Sequence, residues 1–145
     1  MPLFAVPNVD FVSLQVGPGR QDIGANPLPP NVLDLGQEIG NFADTAAIMA
    51  GLDLVISSCT APLHLAGAMG VPTWGVIPYA PHFFWLLGRS DSPWYPTLQL
   101  YRQDKPGTDW GSVIGRIATD LADLAEAKRS SDARQSMRPL EAVTA

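Results

Sequence analysis

Apolar positions along this chain follow two alternating spacings. Short extended runs occur at Phe11 to Val16 (FVSLQV), at Val32 to Leu35 (VLDL), at Leu52, Leu54, Val55 and Ile56, and at Thr73 to Ile77. A last one spans Thr97 to Tyr101 (TLQLY), and each reads as a strand. Between Thr60 and Pro72 the apolar residues Leu63, Leu65, Ala66, Met69 and Val71 recur at mixed three- and four-residue spacing, as on a packed helix that Gly70 and Pro72 end. Asp44 or Thr45 can cap an earlier helix running through Gly51, with Ala46, Ala47, Ile48 and Ala50 as its packing surface. The clearest stripe is Val113, Ile114, Ile117, Leu121 and Leu124, with charged residues opposite. It predicts a helix from Asp109 to about Lys128, capped by Asp109 or Thr108.

Turn residues separate these elements. Gly17, Pro18 and Gly19 follow the first strand, either as a close approach to a ligand or as a plain tight turn. Residues 24–31 (GANPLPPN) carry three prolines within four positions and read as a loop rather than helix or central strand. Gly36 to Gly40 reads as another turn. Strands alternating with helices imply parallel strands joined by helical crossovers, an α/β fold with a Rossmann-like, doubly wound, mostly parallel sheet. Residues 1–10 read as a lead-in segment, 11–128 as the domain, and 129–145, where composition turns polar, as a frayed or disordered tail. In such sheets ligands sit beyond the carboxyl ends of the strands, which selects the turns after Gln15 and Ser57.

Composition narrows the classes. The chain has 145 residues, enough for one domain with a real core. A formal charge of −5 with scattered basic residues argues against a nucleic-acid-binding face. The single cysteine, Cys59, excludes an internal disulfide and a cysteine-based zinc site, and no metal is expected. The first ten residues lack the pattern of a secretory signal, and no apolar run approaches the ~18 residues that span a bilayer. A cytoplasmic location without a membrane span follows as the expectation.

The chemistry centres on Leu52 to Ile77, read as strand, hydroxyl-rich loop, helix, strand. A helix N-terminus reached in this way aims backbone N–H groups and a partial positive charge at one spot that suits a phosphate. Thr60 is the expected N-cap, its hydroxyl accepting from the N–H of Leu63, with Pro62 tolerated in the first turn. In the binding reading the amides of Thr60, Ala61 and Leu63 and the hydroxyl of Thr60 or Ser58 hold a diphosphate. In the plain reading Thr60 only caps the helix. His64, one turn in, is either within reach of that anion or simply a packed, hydrogen-bonded ring. Cys59 at the helix start is a weak nucleophile candidate, with His82 its nearest prospective partner. No Walker lysine loop, GxGxxG, HExxH or GxSxG is present. Phe83, Phe84, Trp85, Leu86 and Leu87, with one or two helical turns among them, form either a lid, a surface covered by another domain, or packing within this domain.

Three blocks of the chain carry a resemblance. They are FVSLQVGPG, then DLGQEIGNFADTAAIMAGLDLVISSCTAPLHLAGAMGVPTWGVIPY, then GRSDSPWYPTLQLYRQDKPGTDWGSVIGRI. Together they resemble the C-terminal part of bacterial glycosyltransferases with tetratricopeptide repeats, relatives of the ADP-heptose–lipopolysaccharide heptosyltransferases with GT-B architecture. The resemblance spans roughly residues 11–125. It implies a Rossmann-like domain that binds the nucleotide-sugar donor on one side of an interdomain cleft. It also implies that Ser58, Cys59, Thr60, Ala61, Leu63 and His64 hold the donor phosphates and that Ser13, Gln15 and Gly17 line the same cleft.

Two positions depart from the family. Cys59 stands where an aspartate is frequent, and Val16 where a lysine is frequent, so two charged contacts to the donor are lost. No tetratricopeptide repeats or acceptor domain are expected before Phe11, and half a cleft does not orient two substrates for transfer. The expectation is the donor-binding half alone, as a fragment, a truncated gene product or a stand-alone relic. It is not catalytic by itself, needs a second domain or an acceptor-domain partner chain, and has no catalytic residue assigned. Its rival is an interaction module that forms a homodimer through exposed aromatics. A small enzyme using Cys59 is the third reading.

Overall fold

The structure is a computed structural model and describes residues 2–136. Its strands are β1 (Phe11–Ser13), β2 (Val32–Asp34), β3 (Val55–Ser58), β4 (Thr73–Ile77) and β5 (Leu98–Arg102). The helices are α1 (Arg20–Ala25), α2 (Phe42–Met49), α3 (Ala61–Ala68) and α4 (Gly111–Ser136). Every named strand pair is parallel, as the alternation of strand and helix predicts. The strands divide into a β1–β2 pair and a β3–β4–β5 sheet.

Side-chain alternation along β4 divides the core. Thr73, Gly75 and Ile77 are buried on one face. There Ile77 joins Leu63 of α3, Trp85, Leu98 and Leu100 in one cluster. Gly75 lies at the centre of that face, where a Cβ would stand 3.1 Å from Leu63 Cδ2 and 3.2 Å from Leu100 Cδ2, so both leucine side chains would have to give by a few tenths of an ångström. On the opposite face Trp74 and Val76 pack with Tyr101, Val113 and Ile117, so α4 covers it. A third cluster of Met49, Val55 and Ala66 takes in Leu14, which ties the segment after β1 to α2 and α3.

Several boundaries differ from the sequence expectation for local reasons. β3 begins at Val55 and runs through Ser57 and Ser58, which pair with Gly75 and Val76. Leu52 instead closes the turn after α2, its N–H donating to Met49 O at 3.1 Å. α2 starts earlier than expected because Asn41 is its cap. The Asn41 side chain accepts from Ala43 N and Asp44 N, while the Asp44 carboxylate accepts from Asn41 N, a reciprocal capping box. Gly24 and Ala25, expected in a loop, end α1, since the prolines begin only at Pro27.

The lead-in segment is part of the core. Pro2–Ala5 form a 3-10 turn, Leu3 packs on the α4 cluster, and Val6 is buried. α4 continues past Lys128 to Ser136, which corrects the expectation of disorder from residue 129. Arg129 donates to Glu126 at 2.7 and 2.9 Å, the i,i+3 pairing that supports an exposed helix. The rest of the expected tail, 137–145, lies outside the described residues. Among the described residues no helix is long and apolar enough to cross a membrane.

Candidate functional site

The β3–α3 connection is built from Ser58, Cys59 and Thr60. Thr60 holds the N-cap position with extended backbone (φ −123°, ψ 179°), followed by Ala61 and Pro62 in the first turn. Its side chain makes no capping bond. The Thr60 hydroxyl instead faces the Ser58 carbonyl at 3.4 Å and the Ser58 hydroxyl at 3.5 Å. This corrects the expected bond from Leu63 N–H to the Thr60 hydroxyl: that N–H donates to the Thr60 backbone carbonyl at 3.0 Å.

The expected set of phosphate-holding amides shrinks accordingly. Leu63 N–H is engaged, and its side chain is fully buried in the core. Thr60 N–H donates to Ser58 O at 2.7 Å, closing the turn, so it too is engaged. The amides of Cys59 and Ala61 have no partner among the described residues. Ser58, Thr60 and Ala61 are exposed, and the first turn of α3 carries no acidic residue to oppose the helix dipole. The terminus is therefore open, hydroxyl-lined and electropositive.

Cys59 is half-buried and packs against the Leu63–Trp85 cluster, the behaviour of a small apolar residue. His82 lies at 4.3 Å between centroids from the Phe83 ring, and no hydrogen bond joins it to Cys59 among the described residues. The geometry gives no support to a cysteine nucleophile.

His64 sits in an aromatic cage. Its ring stacks on Trp85 (centroids 4.9 Å, planes 29° apart) and meets the edges of Phe84 at 5.1 Å and Tyr95 at 5.8 Å. His64 Nδ1 lies 3.0 Å from the Tyr95 hydroxyl. Tyr95 in turn presses on Gly67, where a Cβ would stand 2.6 Å from Tyr95 Cγ. The packed, hydrogen-bonded reading of His64 is thus present, one helix turn along from the open terminus. Sequence reasoning missed Tyr95 as a partner, because nothing local links two residues 31 positions apart.

The aromatic segment after β4 is split between the open alternatives. Trp85 is buried in the domain's own core, and Phe84 and Tyr95 are half-buried against it. Phe83 (79% exposed), Leu87 (77%) and Trp94 (56%) face solvent. Trp94 stacks on Phe84 at 5.3 Å and donates from Nε1 to the Phe84 carbonyl at 3.2 Å. Arg102, at the end of β5, holds the segment from beneath by donating to the carbonyls of Arg89 and Trp85. Burial, with the charge of Arg89, pushes this guanidinium below its ordinary value. Gln103 is buried and accepts from Tyr79 N–H at 3.1 Å while donating to the Gly107 and Asp109 carbonyls at 3.2 and 3.1 Å. The RQ pair of the third block thus anchors loops.

Ser13, Gln15 and Gly17 stand at the carboxyl end of β1. Gly17 has φ +67°, a left-handed turn that glycine adopts without strain. Arg20 fixes this loop: Nη1 donates to Gln15 O at 2.9 Å, and the guanidinium grips both Asp34 oxygens at 3.1 and 2.6 Å. These bonds, with the Gly36 amide, hold the Asp34 carboxyl down to about 2. The Gln15 side chain donates to Val16 O. No hydrogen bond joins Ser13, Gln15 or Gly17 to Ser58, Thr60 or His64 among the described residues. A shallow concavity of about 370 Å³ on the β1–β2 pair is lined by Asp10, Phe11, Val12, Asn31 and Leu33, and by none of the predicted site residues. Among the described residues no three His, Cys, Asp or Glu side chains gather as metal ligands.

Protein FlbA of Caulobacter vibrioides is similar to this chain, 33% identical over 131 residues, covering 86% of the chain and 21% of that protein. The chain therefore spans about a fifth of the length of the curated relative it matches. No family model matches the chain. No solved structure matches it.

Proposed function

We propose that this chain is the donor-binding half of a GT-B glycosyltransferase, holding the diphosphate of a nucleotide sugar at the N-terminus of α3. The observation that carries the reading is the state of that terminus. It lies beyond the carboxyl end of β3, its Ala61 amide has no partner among the described residues, its Thr60 hydroxyl caps nothing, and the first turn of the helix carries no acidic residue. Ser58 and Thr60 supply hydroxyl donors, Cys59 and Ala61 supply amides, and His64 stands one turn further along. Ser13, Gln15 and Gly17 serve as a second wall of the same cleft.

Group transfer needs a second domain to orient the acceptor and supply a base, either in the same polypeptide or from a partner chain. Similarity to one stretch of a much longer bacterial protein suits a domain that works within a larger unit. Calorimetric titration with a panel of nucleotide sugars tests the reading. Heat from at least one of them is expected, and a folded sample silent to all of them would sink it.

The exposure of the large apolar side chains Phe83, Leu87 and Trp94 favours a second reading, self-association without nucleotide binding. Light scattering separates the two. A concentration-independent dimer that buries tryptophan and ignores nucleotides supports the second reading.

A further inference from the structure

Tyr95 occupies a place that the phosphate reading does not by itself explain. Its hydroxyl meets His64 Nδ1 at 3.0 Å, and the ring reaches there only because Gly67 offers no Cβ to block it. The two rings are held from several sides, since Trp85, which stacks on His64, is itself only 3% exposed. Among the described residues no buried side-chain nitrogen or oxygen lacks a partner. Among the described residues His64 Nε2 has no hydrogen-bond partner, so it is not fully buried. Helical side chains lean back over the turn that precedes them, which here is the turn begun by Thr60 and Ala61.

We propose that Tyr95 is a positioning residue that fixes His64 in the Nε2–H tautomer and so makes it a hydrogen-bond donor to an anion at the α3 terminus. The proposal rests on the phosphate reading of that terminus. A phenol is the stronger donor and a neutral imidazole nitrogen the stronger acceptor, so the shared proton stays on the Tyr95 oxygen and points at Nδ1. The remaining ring proton then sits on Nε2, the nitrogen left without a partner among the described residues. An Nε2–H there adds one more donor to the row of amide donors at the terminus. Tyr95 acts through His64 and need not touch the ligand.

The test uses the full chain labelled with nitrogen-15. Long-range proton–nitrogen spectra report which ring nitrogen of His64 carries the proton. Inorganic pyrophosphate serves as the probe, because every nucleoside diphosphate shares that group. Wild type is expected to show Nε2–H alone. Tyr95→Phe, which keeps the ring against Gly67, is expected to shift the Nδ1 resonance and admit the other tautomer. Its pyrophosphate affinity is expected to fall about threefold to tenfold, the effect of one hydrogen bond. A proton on Nδ1 in wild type, or an unchanged His64 spectrum in Tyr95→Phe, overturns the proposal whatever pyrophosphate does. The expected tautomer with pyrophosphate moving neither Nε2 nor the amides of Cys59 and Ala61 overturns the phosphate reading, and the donor role with it.

Discussion

Gly67 and Tyr95 are in a contact that admits no side chain between them: a Cβ on Gly67 would stand 2.6 Å from Tyr95 Cγ. Two effects oppose each other when that glycine is replaced. Helix propensity favours alanine over glycine by about 1 kcal/mol in a helix interior. The overlap with a half-buried ring opposes it by about 1–3 kcal/mol. Gly67→Ala is therefore expected to be less stable than wild type in urea unfolding, and to disturb the His64–Tyr95 bond. A more stable variant would show that the ring yields freely.

Asp34 gives the fold an acid-sensitive link. Bonding to Arg20 and then to Gly36 N–H holds its carboxyl down to about 2, against about 3.9 in an unfolded chain. A carboxyl depressed on folding stabilises above its unfolded value, and that contribution disappears as pH falls through the folded one. The gap in melting temperature between wild type and Asp34→Asn should be full at pH 6 and close between about pH 4 and 2. A gap that persists unchanged to pH 2 contradicts the pairing.

Gln103 joins two loops through three hydrogen bonds of one amide. Gln103→Leu removes the acceptor for Tyr79 N–H and both donors to the Gly107 and Asp109 carbonyls at a buried position. The expected cost is about 1–3 kcal/mol in denaturant midpoint measurements. Gln103→Glu should fare no better, since a carboxylate cannot donate to those carbonyls. Wild-type stability in Gln103→Glu would mean that the donor bonds contribute nothing.

Tyr101 acts at the other end of the pH scale. Burial first, then its bond to Asp120 at 2.6 Å, pushes the phenol above its ordinary value. A raised folded value means stability that is complete below about pH 10, where unfolded tyrosine ionises, and that is lost as pH rises further. Tyr101→Phe should remove that part of the alkaline loss, seen as a flatter melting profile between about pH 9 and 11. Identical profiles would rule the group out.

Much of the core was legible because packing and local preference agree. Thr73 to Ile77 is a strand with the bounds its composition predicts, and the Val113–Ile117–Leu121 stripe lies buried on α4. Elements that depend on pairing were harder to read. Ser57 and Ser58 look like loop residues and become strand only because β4 lies alongside them. α1 was not visible, since six residues with a glycine inside carry no periodicity. At the site, the position of Thr60 as cap was readable but the direction of its hydroxyl was not. That direction is set by the Ser58 carbonyl, a matter of loop geometry. The cage around His64 depends on residues that meet only in the folded chain.

The central claim is that the uncapped α3 terminus takes the donor diphosphate, and Thr60→Asp tests it most directly. An aspartate at this N-cap satisfies the helix dipole from within and places a negative charge where the anion would sit. The variant should match or exceed wild-type stability by up to about 1 kcal/mol. Calorimetric titration should then show at least one nucleotide sugar binding wild type and none binding the variant. A variant that is at least as stable and binds the same nucleotide sugar as tightly as wild type would contradict the account.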